Sequence, residues 1–493
     1  MTLYSAMPLW VLLTSLATAA VVFTAGERWQ RLRTVLNLTG AVVKLVLVGI
    51  MLWGVYQGHE FLVRIPLLPE LDVVLQADAL AMLFLTLSAV LWLVTTIYAI
   101  TYLEHAEHRA RFFGFFSLCV AATMGIATAG NLFTFFLFYE LLTLATWPLV
   151  VHRGVDKAMA AGRIYLQYTI GGGALFLVGI VLLYTVAGTG DFLAGGTLDD
   201  LGVDAYPALT GIFLLMMAGL GVKAALVPLH GWLPIAMVAP APVSALLHAV
   251  AVVKAGAFGI VRLVHDVYGV ELAQELHLTA GLAVAASITI LYGSLRAIWQ
   301  TDLKRRLAYS TVSQVSYIAL GLSLGSPLAT IGGLVHLVHQ GLMKITLFFC
   351  AGAYAETRHI HAIHDLNGMG RLMPWTSAMF TLGAMGMIGV PPLAGFVSKW
   401  YLGIGAVDGG YHWVIGVLLA STVLNAIYFL PLLHRLWFRP PPDEAAPAAD
   451  APPGLLGPTL FVGIMSVGVG LLAQAGWSPL NWVQLIVELE YFQ

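Results

Sequence analysis

Fourteen long apolar runs recur along this chain, near residues 1–23, 35–56, 74–101, 112–129, 131–150, 162–186, 207–229, 241–263, 277–297, 306–324, 327–354, 374–404, 412–437 and 455–476. About 20 consecutive apolar residues suffice to cross the hydrocarbon core as a helix, so each run predicts one membrane crossing. The pattern predicts an all-α polytopic membrane protein of about 14 transmembrane helices. No basic residue precedes the first run, MTLYSAMPLWVLLTSLATAAVVF, and a secretory signal needs a positive n-region, so it reads as a retained helix.

Composition sharpens this picture. The 493 residues are 59% apolar and 10% charged, with mean hydropathy +0.88, whereas a soluble domain is about a quarter charged. Nothing is left over for a sizeable soluble domain, which excludes a soluble enzyme. A formal net charge of -2 without a long basic run argues against a nucleic-acid partner. Cys119 and Cys350 lie far apart inside apolar runs, so they offer no disulfide framework and no Cys-rich metal or iron–sulfur site. His359, His361 and His364 in RHIHAIHDL lack the spacing of a standard zinc site and read as a solvated cytoplasmic loop. The stretch 438–453, FRPPPDEAAPAADAPP, is rich in Pro and Ala and reads as a disordered cytoplasmic linker. The final ELEYFQ faintly resembles a protease-site remnant and carries no functional inference.

Charge placement supports the helix count and orients it. Sixteen of the 23 Lys and Arg residues fall in odd-numbered loops and two, Arg64 and Arg262, in even-numbered ones. Positive loops stay inside, and one mid-chain helix more or fewer would scramble the split. The chain is therefore expected in the cell inner membrane with both termini on the non-cytoplasmic side. The remaining five basic residues are lysines inside apolar runs: Lys44, Lys223, Lys254, Lys344 and Lys399. Glu140, in FTFFLFYELLTLATW, is the clearest buried acid. A charge at the bilayer centre costs at least ~2.5 kcal/mol, so such residues are paired or used. Lys44 follows the Arg28–Arg33 cluster closely enough to be expected to snorkel toward the helix end. The other four lysines and Glu140 are candidates for function.

Local helix breaking singles out two of them. Lys223 precedes Pro228 in GVKAALVPLHGWLP, and Lys399 follows Pro392 in GVPPLAGFVSKW. Proline removes an intrahelical hydrogen bond, and broken helices at membrane depth occur where protein or water satisfies the freed groups. Both lysines are expected to line hydrated cavities. The breaks fall in helices 7 and 12, five apart, so a repeat covering helices 4–8 and 9–13 must be inverted, the arrangement transporters use for alternating half-channels. The corresponding divisions are 1–111 (helices 1–3), 112–265, 266–437, the linker 438–453, and 454–493. His248 precedes Lys254 on helix 8, while His336, Gln340 and Lys344 repeat every four residues along one face of helix 11. Lysine and histidine together make a proton-relay composition.

FFLFYELLTL, GVKAALVPLHGWLP, APAPVSALLHAVAVVKAGAFGIVRL, TDLKRRLAYSTVSQVSYI and GVPPLAGFVSKW resemble the core motifs of the antiporter-like family. That family comprises the proton-pumping membrane subunits of complex I (NADH:quinone oxidoreductase), the A and D subunits of Mrp-type sodium/proton antiporters, and membrane subunits of related hydrogenases. The resemblance spans roughly 75–437 and implies proton translocation without a bound redox cofactor. It maps Glu140 onto the helix 5 glutamate and Lys223 onto the broken-helix lysine that pairs with it. Lys254 matches the helix 8 lysine with His248 as relay, Lys344 the connecting lysine of helix 11 behind His336, and Lys399 the terminal residue of helix 12. Two positions depart from the family pattern. Its W-L-P-D-A-H is here Trp232, Leu233, Pro234, Ile235, Ala236, Met237, and the second histidine of its helix 11 motif is here Gln340, with His339 rotated about 100° away. The missing long C-terminal extension and the lysine at 399 place the chain nearest the D-type member of the Mrp antiporters.

The expected function is proton translocation within a multi-subunit cation/proton antiporter, with other membrane subunits and the lipid bilayer as partners, protons as cargo and sodium as the candidate counter-ion. Two further readings share the same path: a proton-driven subunit for inorganic-carbon uptake beside a large soluble zinc protein, and a membrane subunit of a redox-driven pump. The topology has a direct test. Single cysteines placed in each loop, in a background without Cys119 and Cys350, should react with an impermeant reagent added outside only in even-numbered loops. Outside labelling of the 435–453 segment would refute the orientation.

Overall fold

The computed structural model describes residues 4–69, 71–198, 201–441 and 447–492. Twelve helices among them are long and apolar enough to cross a membrane. They are Met7–Ala25, Gln30–Tyr56, Ala79–Tyr102, Arg109–Ala127, Leu132–Val150, Asp156–Ala187 and Val203–Lys223 (helices 1–7), Ala241–Tyr268 and Leu278–Ile298 (8 and 9), Pro327–Arg358 (11), and Trp413–Phe438 and Pro453–Leu471 (13 and 14). Two more complete the fourteen expected from the apolar runs. Helix 10, Leu303–Leu322, opens on Lys304, Arg305 and Arg306 and is rich in hydroxyls. Helix 12 is split into Pro374–Ile388 and Ala394–Asp408.

Between helices 2 and 3 the chain forms an antiparallel hairpin, β1 (Phe61–Leu68) and β2 (Leu71–Ala77), with Phe61 opposite Ala77. Helix 3 therefore starts after the hairpin, where the Asp78 carboxylate caps it by accepting from the Ala81 N–H (2.7 Å).

Helices 8 and 11 form the centre of the bundle, helix 8 buried along its whole length and helix 11 from Ala329 to Tyr354, while helices 1, 2, 6 and 13 keep large apolar side chains on the outer surface. Central helices can be polar on any face, because every face meets protein rather than lipid. That is why His336, His339, Gln340 and Lys344 are all fully buried although they do not share one face.

Three helices are interrupted near these residues. Helix 7 ends at Lys223, and the chain passes through Ala224–Gly231 to a second short piece, Trp232–Ile235. The freed groups find partners: Trp232 Nε1 donates to Val222 O (2.7 Å), Leu226 N to Gly221 O (2.9 Å) and Val227 N to Thr289 Oγ1 on helix 9 (3.0 Å). Helix 12 breaks at Gly389 (φ +93°), whose missing Cβ also leaves room for the Lys399 side chain. Helix 8, expected to be continuous, is interrupted at Val250–Ala251 between Ala241–Ala249 and Val252–Val261 and ends in a π-helical turn, Arg262–Tyr268.

Three expectations need correction. Arg262 is not a loop residue but lies buried at the end of helix 8, bidentate on Asp78 (2.7 and 2.9 Å) and bonded to Asp266 (2.7 Å). Lys44 does not snorkel: mid-helix and buried, it places Nζ 3.8 Å from the centre of the Trp92 ring. In the segment read as a disordered linker, residues 442–446 lie outside the described residues. The part beyond them is held, with Pro447 O accepting from Arg358 (2.9 Å) and the Asp450 carboxylate accepting from Trp375 N (2.7 Å) and Thr376 Oγ1 (2.5 Å). Near the C-terminus Glu490 accepts from Ala79 N (3.1 Å) and Tyr491 lies against the buried His265 ring (4.3 Å).

Helix 8 meets the helix 7 break backbone to backbone at Gly256, where a Cβ would collide with Ala224 N and lie 2.7 Å from the Lys223 carbonyl carbon. Gly256→Ala is expected to destabilise the fold by about 1–3 kcal/mol, the cost of overpacking a close contact. Gly281→Ala on helix 9, where a Cβ meets nothing within 4 Å, should be neutral or slightly stabilising. Thermal denaturation of the detergent-solubilised protein compares the two, and equal melting temperatures would refute the contact.

Candidate functional site

The helix 7 break holds the first charged pair. Lys223 is the last residue of the first half of the helix and is wholly buried. Its Nζ lies 4.0 Å from Glu140 Oε1 on helix 5, donates to Tyr139 O, and stands 3.2 Å from the centre of the Tyr139 ring. The Tyr139 hydroxyl donates back to Gly219 O on helix 7 (3.1 Å), tying the two helices together. Glu140 is packed over Gly173 of helix 6 and keeps 24% of its side chain exposed, so this end of the site reaches the flank of the bundle.

Across the Gly256 contact, helix 8 carries the next residues inward. Lys254 Nζ donates to Leu337 O of helix 11 (2.8 Å), one residue past His336. His248 lies before the helix 8 interruption, with its ring stacked on Phe348 (4.5 Å) and Nε2 3.3 Å from Met237 Sδ. The expected link from His248 to Lys254 along one helix is thus divided by Val250–Ala251, and the two side chains make separate contacts.

On helix 11 the structure separates what sequence spacing had aligned. Lys344 turns to helix 10, donating to Leu307 O (3.0 Å) and to Ser310 Oγ. His336 turns to helix 12, with Nδ1 2.8 Å from Ser398 Oγ and its ring 5.2 Å from that of Tyr317. Lys399, beside Ser398, donates to Ile388 O (2.7 Å) and Thr422 Oγ1 (3.1 Å) and lies 5.6 Å from the Tyr317 ring centre. Lys399 thereby caps carbonyls freed where helix 12 breaks, a place where the helix dipole favours a cation. Asn425 of helix 13 takes another of them, donating to Met387 O (3.1 Å). The cavity of about 440 Å³ over Lys399 is walled mainly by apolar groups, including Phe396, Trp400, Ile415 and Leu418.

Tyr317 and Ser398, which join His336 to Lys399, were not singled out from the sequence. Neither was Gln314, buried on helix 10 with both amide atoms lacking a protein partner. The signal was the polarity of helix 10 itself. Ser310, Thr311, Ser313, Gln314 and Ser316 are all buried there, in a segment too polar to face lipid.

Glu140, Lys223, Lys254, His336 and Lys399 form a row from helix 5 through the two central helices to helix 12, with His248 and Lys344 beside it. No group of three or more His, Cys, Asp and Glu able to hold a metal occurs among the described residues.

Comparison with known proteins reaches the same region. Residues 129–425 match the family described as NADH:quinone oxidoreductase/Mrp antiporter, TM, and residues 69–113 match the N-terminal family of complex I chain 5. NADH-quinone oxidoreductase subunit N of Desulforudis audaxviator is 35% identical over 82% of this chain and 82% of its own length. The D subunit of the Na(+)/H(+) antiporter of Alkalihalophilus pseudofirmus is 29% identical over 74% of this chain and 73% of its own. A chain in the Mrp complex structure from Dietzia sp. DQ12-45-1b superposes with a TM-score of 0.86 over 100% of this chain and 98% of that one, at 24% identity, a likeness of fold. With the matched region covering every residue of the row, the chain belongs to the NADH:quinone oxidoreductase/Mrp antiporter transmembrane family.

Proposed function

We propose that this chain is a proton-translocating subunit of a multi-subunit cation/proton antiporter, similar to the D-type member of the Mrp complexes. The observation that carries the proposal is the row itself: buried lysines and a histidine on neighbouring helices, with Lys254 bonded to Leu337 O beside His336, and Tyr317 facing both His336 and Lys399, between two partly exposed ends at Glu140 and Lys399. The side-chain amides of Gln314 and Gln340 are buried beside it without protein hydrogen-bond partners. Buried polar groups are satisfied by protein or by ordered water, so these side chains support a hydrated middle section. Gln340 then acts through water where the family has a histidine.

In this reading Glu140 and Lys223 hold each other's charge, protonation changes at the pair shift a proton along Lys254 and His336, and Lys399 is the terminal proton holder. His248 and Lys344 form a lateral branch. Helices 4–8 and 9–13 are the two inverted halves, each with its own break, and both termini face away from the cytoplasm. Partners are other membrane subunits, as in the multi-subunit Mrp complex whose chain shares the fold. Exchange against sodium rests on the relative named as a Na(+)/H(+) antiporter component. The 35% identity to a quinone oxidoreductase subunit favours a second reading, the same path in a redox-driven pump. Mass spectrometry of co-purifying chains distinguishes them: small antiporter subunits support the first, dehydrogenase or hydrogenase subunits the second.

Two mutational outcomes test the path, read as proton flux in vesicles holding the whole complex and normalised to assembled protein. Glu140→Ala and Lys223→Ala should each abolish flux, because removing one partner leaves the other charge uncompensated. The double variant should then be no worse than either single one, and additive losses would show two independent residues.

Lys399→Arg keeps the charge on a group that does not release its proton in proteins. It should stall flux with assembly intact, while Lys399→Glu, which can still titrate, retains part of it. Wild-type flux in Lys399→Arg would make this lysine a fixed electrostatic element.

A further inference from the structure

Apart from the row, one cavity gathers four basic side chains against a single carboxylate among the described residues. It has a volume of about 270 Å³ and lies at the ends of helices 5, 8 and 10, on the face that the basic loops assign to the cytoplasm. Arg153 and Lys157 reach it from the loop and helix after helix 5, and Lys304 and Arg305 from the first turn of helix 10. Among the described residues Asp302 is the only carboxylate in its lining, and one of its oxygens already caps helix 10 by accepting from Arg305 N (2.8 Å). Among the described residues no ion pair involves any of the four cations. Lys304 Nζ instead donates to Ala239 O (2.6 Å), holding the link between helices 7 and 8 as part of the wall.

The wall also contains Ile235 and Met237. These are the two positions of the helix 7 motif where this chain lacks the acid and the histidine of the resembled pattern. An aspartate at 235 would offset the cations, whereas isoleucine leaves the cavity with a strong positive excess. Like charges that converge from separate segments on one partly open pocket repel one another, and an anion relieves that repulsion.

We propose that this cavity is an oxyanion site, taking a phosphate-class group either free in solution or as the headgroup of an acidic lipid. Arg153 and Arg305 supply planar, forked donors suited to oxyanions, and Lys157 and Lys304 supply point charges. A headgroup would enter from the leaflet beside the loop, where basic pockets between membrane helices recognise acidic lipids. The floor of the site, Met237, is the residue against which His248 rests (3.3 Å), so the bound charge sits one side chain away from the lateral branch of the row.

The test uses the full chain in whatever assembly it is extracted with, in neutral detergent. One arm follows the melting temperature with inorganic phosphate against chloride at equal ionic strength. The other follows retention of dioleoylphosphatidylglycerol against dioleoylphosphatidylcholine by native mass spectrometry. A selective effect of phosphate assigns a free oxyanion, and selective retention of phosphatidylglycerol assigns a lipid headgroup. In either case Arg153→Gln combined with Lys157→Gln, both exposed positions that should fold normally, is expected to weaken binding at least ten-fold. Ile235→Asp should do the same by adding a charge, and Arg28→Gln, on the same face but outside the cavity, should not. No selectivity in either arm, or equal binding by all the variants, would overturn the proposal.

Discussion

A buried ammonium in an apolar bundle has to be solvated by the protein, and here the solvent is mostly backbone. Lys223 donates to Tyr139 O, Lys254 to Leu337 O, Lys344 to Leu307 O and Lys399 to Ile388 O. A peptide carbonyl has a second lone pair left after its helical bond, and a broken helix leaves carbonyls with none of their own donors. Lys399 uses the second kind and the others the first. Lys44, the fifth lysine inside the apolar runs, relies instead on the aromatic face of Trp92. The architecture follows from this need, because each ammonium requires a second helix close enough to lend a carbonyl. For Lys254 the close approach at Gly341, where helix 11 meets Ala249 O of helix 8, supplies that proximity.

The arrangement is graded from end to end. At helix 5 a carboxylate balances a lysine directly, with the acid partly exposed. In the centre, between helices 8 and 11, no acid is present in the row, and carbonyls, hydroxyls and imidazoles carry the compensation. At helix 12 a lysine sits on the C-terminal end of a half-helix beneath a mostly apolar cavity. A row of this kind is held together by helix packing rather than by loops. The family likeness accordingly extends over the whole region 129–425 rather than over isolated motifs.

Much of this was legible in the sequence because membrane helices announce themselves by length and because charges inside them are rare. The twelve helices long and apolar enough to cross a membrane, the breaks beside Lys223 and Lys399, and the burial of Lys254, His248, His336 and Lys344 could all be read that way. What could not be read depended on contacts between distant segments. The interruption of helix 8 at Val250–Ala251 has no proline to mark it, and it is fixed by packing against helix 11. Arg262 looked like a loop residue because its partners, Asp78 on another helix and Asp266 one turn on, become partners only in the fold. The division of helix 11, with Lys344 toward helix 10 and His336 toward helix 12, was hidden for the same reason. Periodicity says which residues share a face, and a helix surrounded on every side uses all its faces.

The reliance on carbonyls bears on how such a row could work. An ammonium paired with a carboxylate loses its attraction when it gives up its proton, so a pair such as Glu140 and Lys223 changes state as a unit. An amine facing a carbonyl differs, since neutral –NH₂ still donates a hydrogen bond to the same oxygen. Lys254 and Lys344 can therefore keep their places whether or not they carry a proton. In the proposed function that gives one coupled switch at the helix 5 end, followed by sites whose geometry is indifferent to charge. A proton can pass such sites without repacking the two central helices. Structural change is then needed only at the two ends of the row, at the breaks around Lys223 and Lys399.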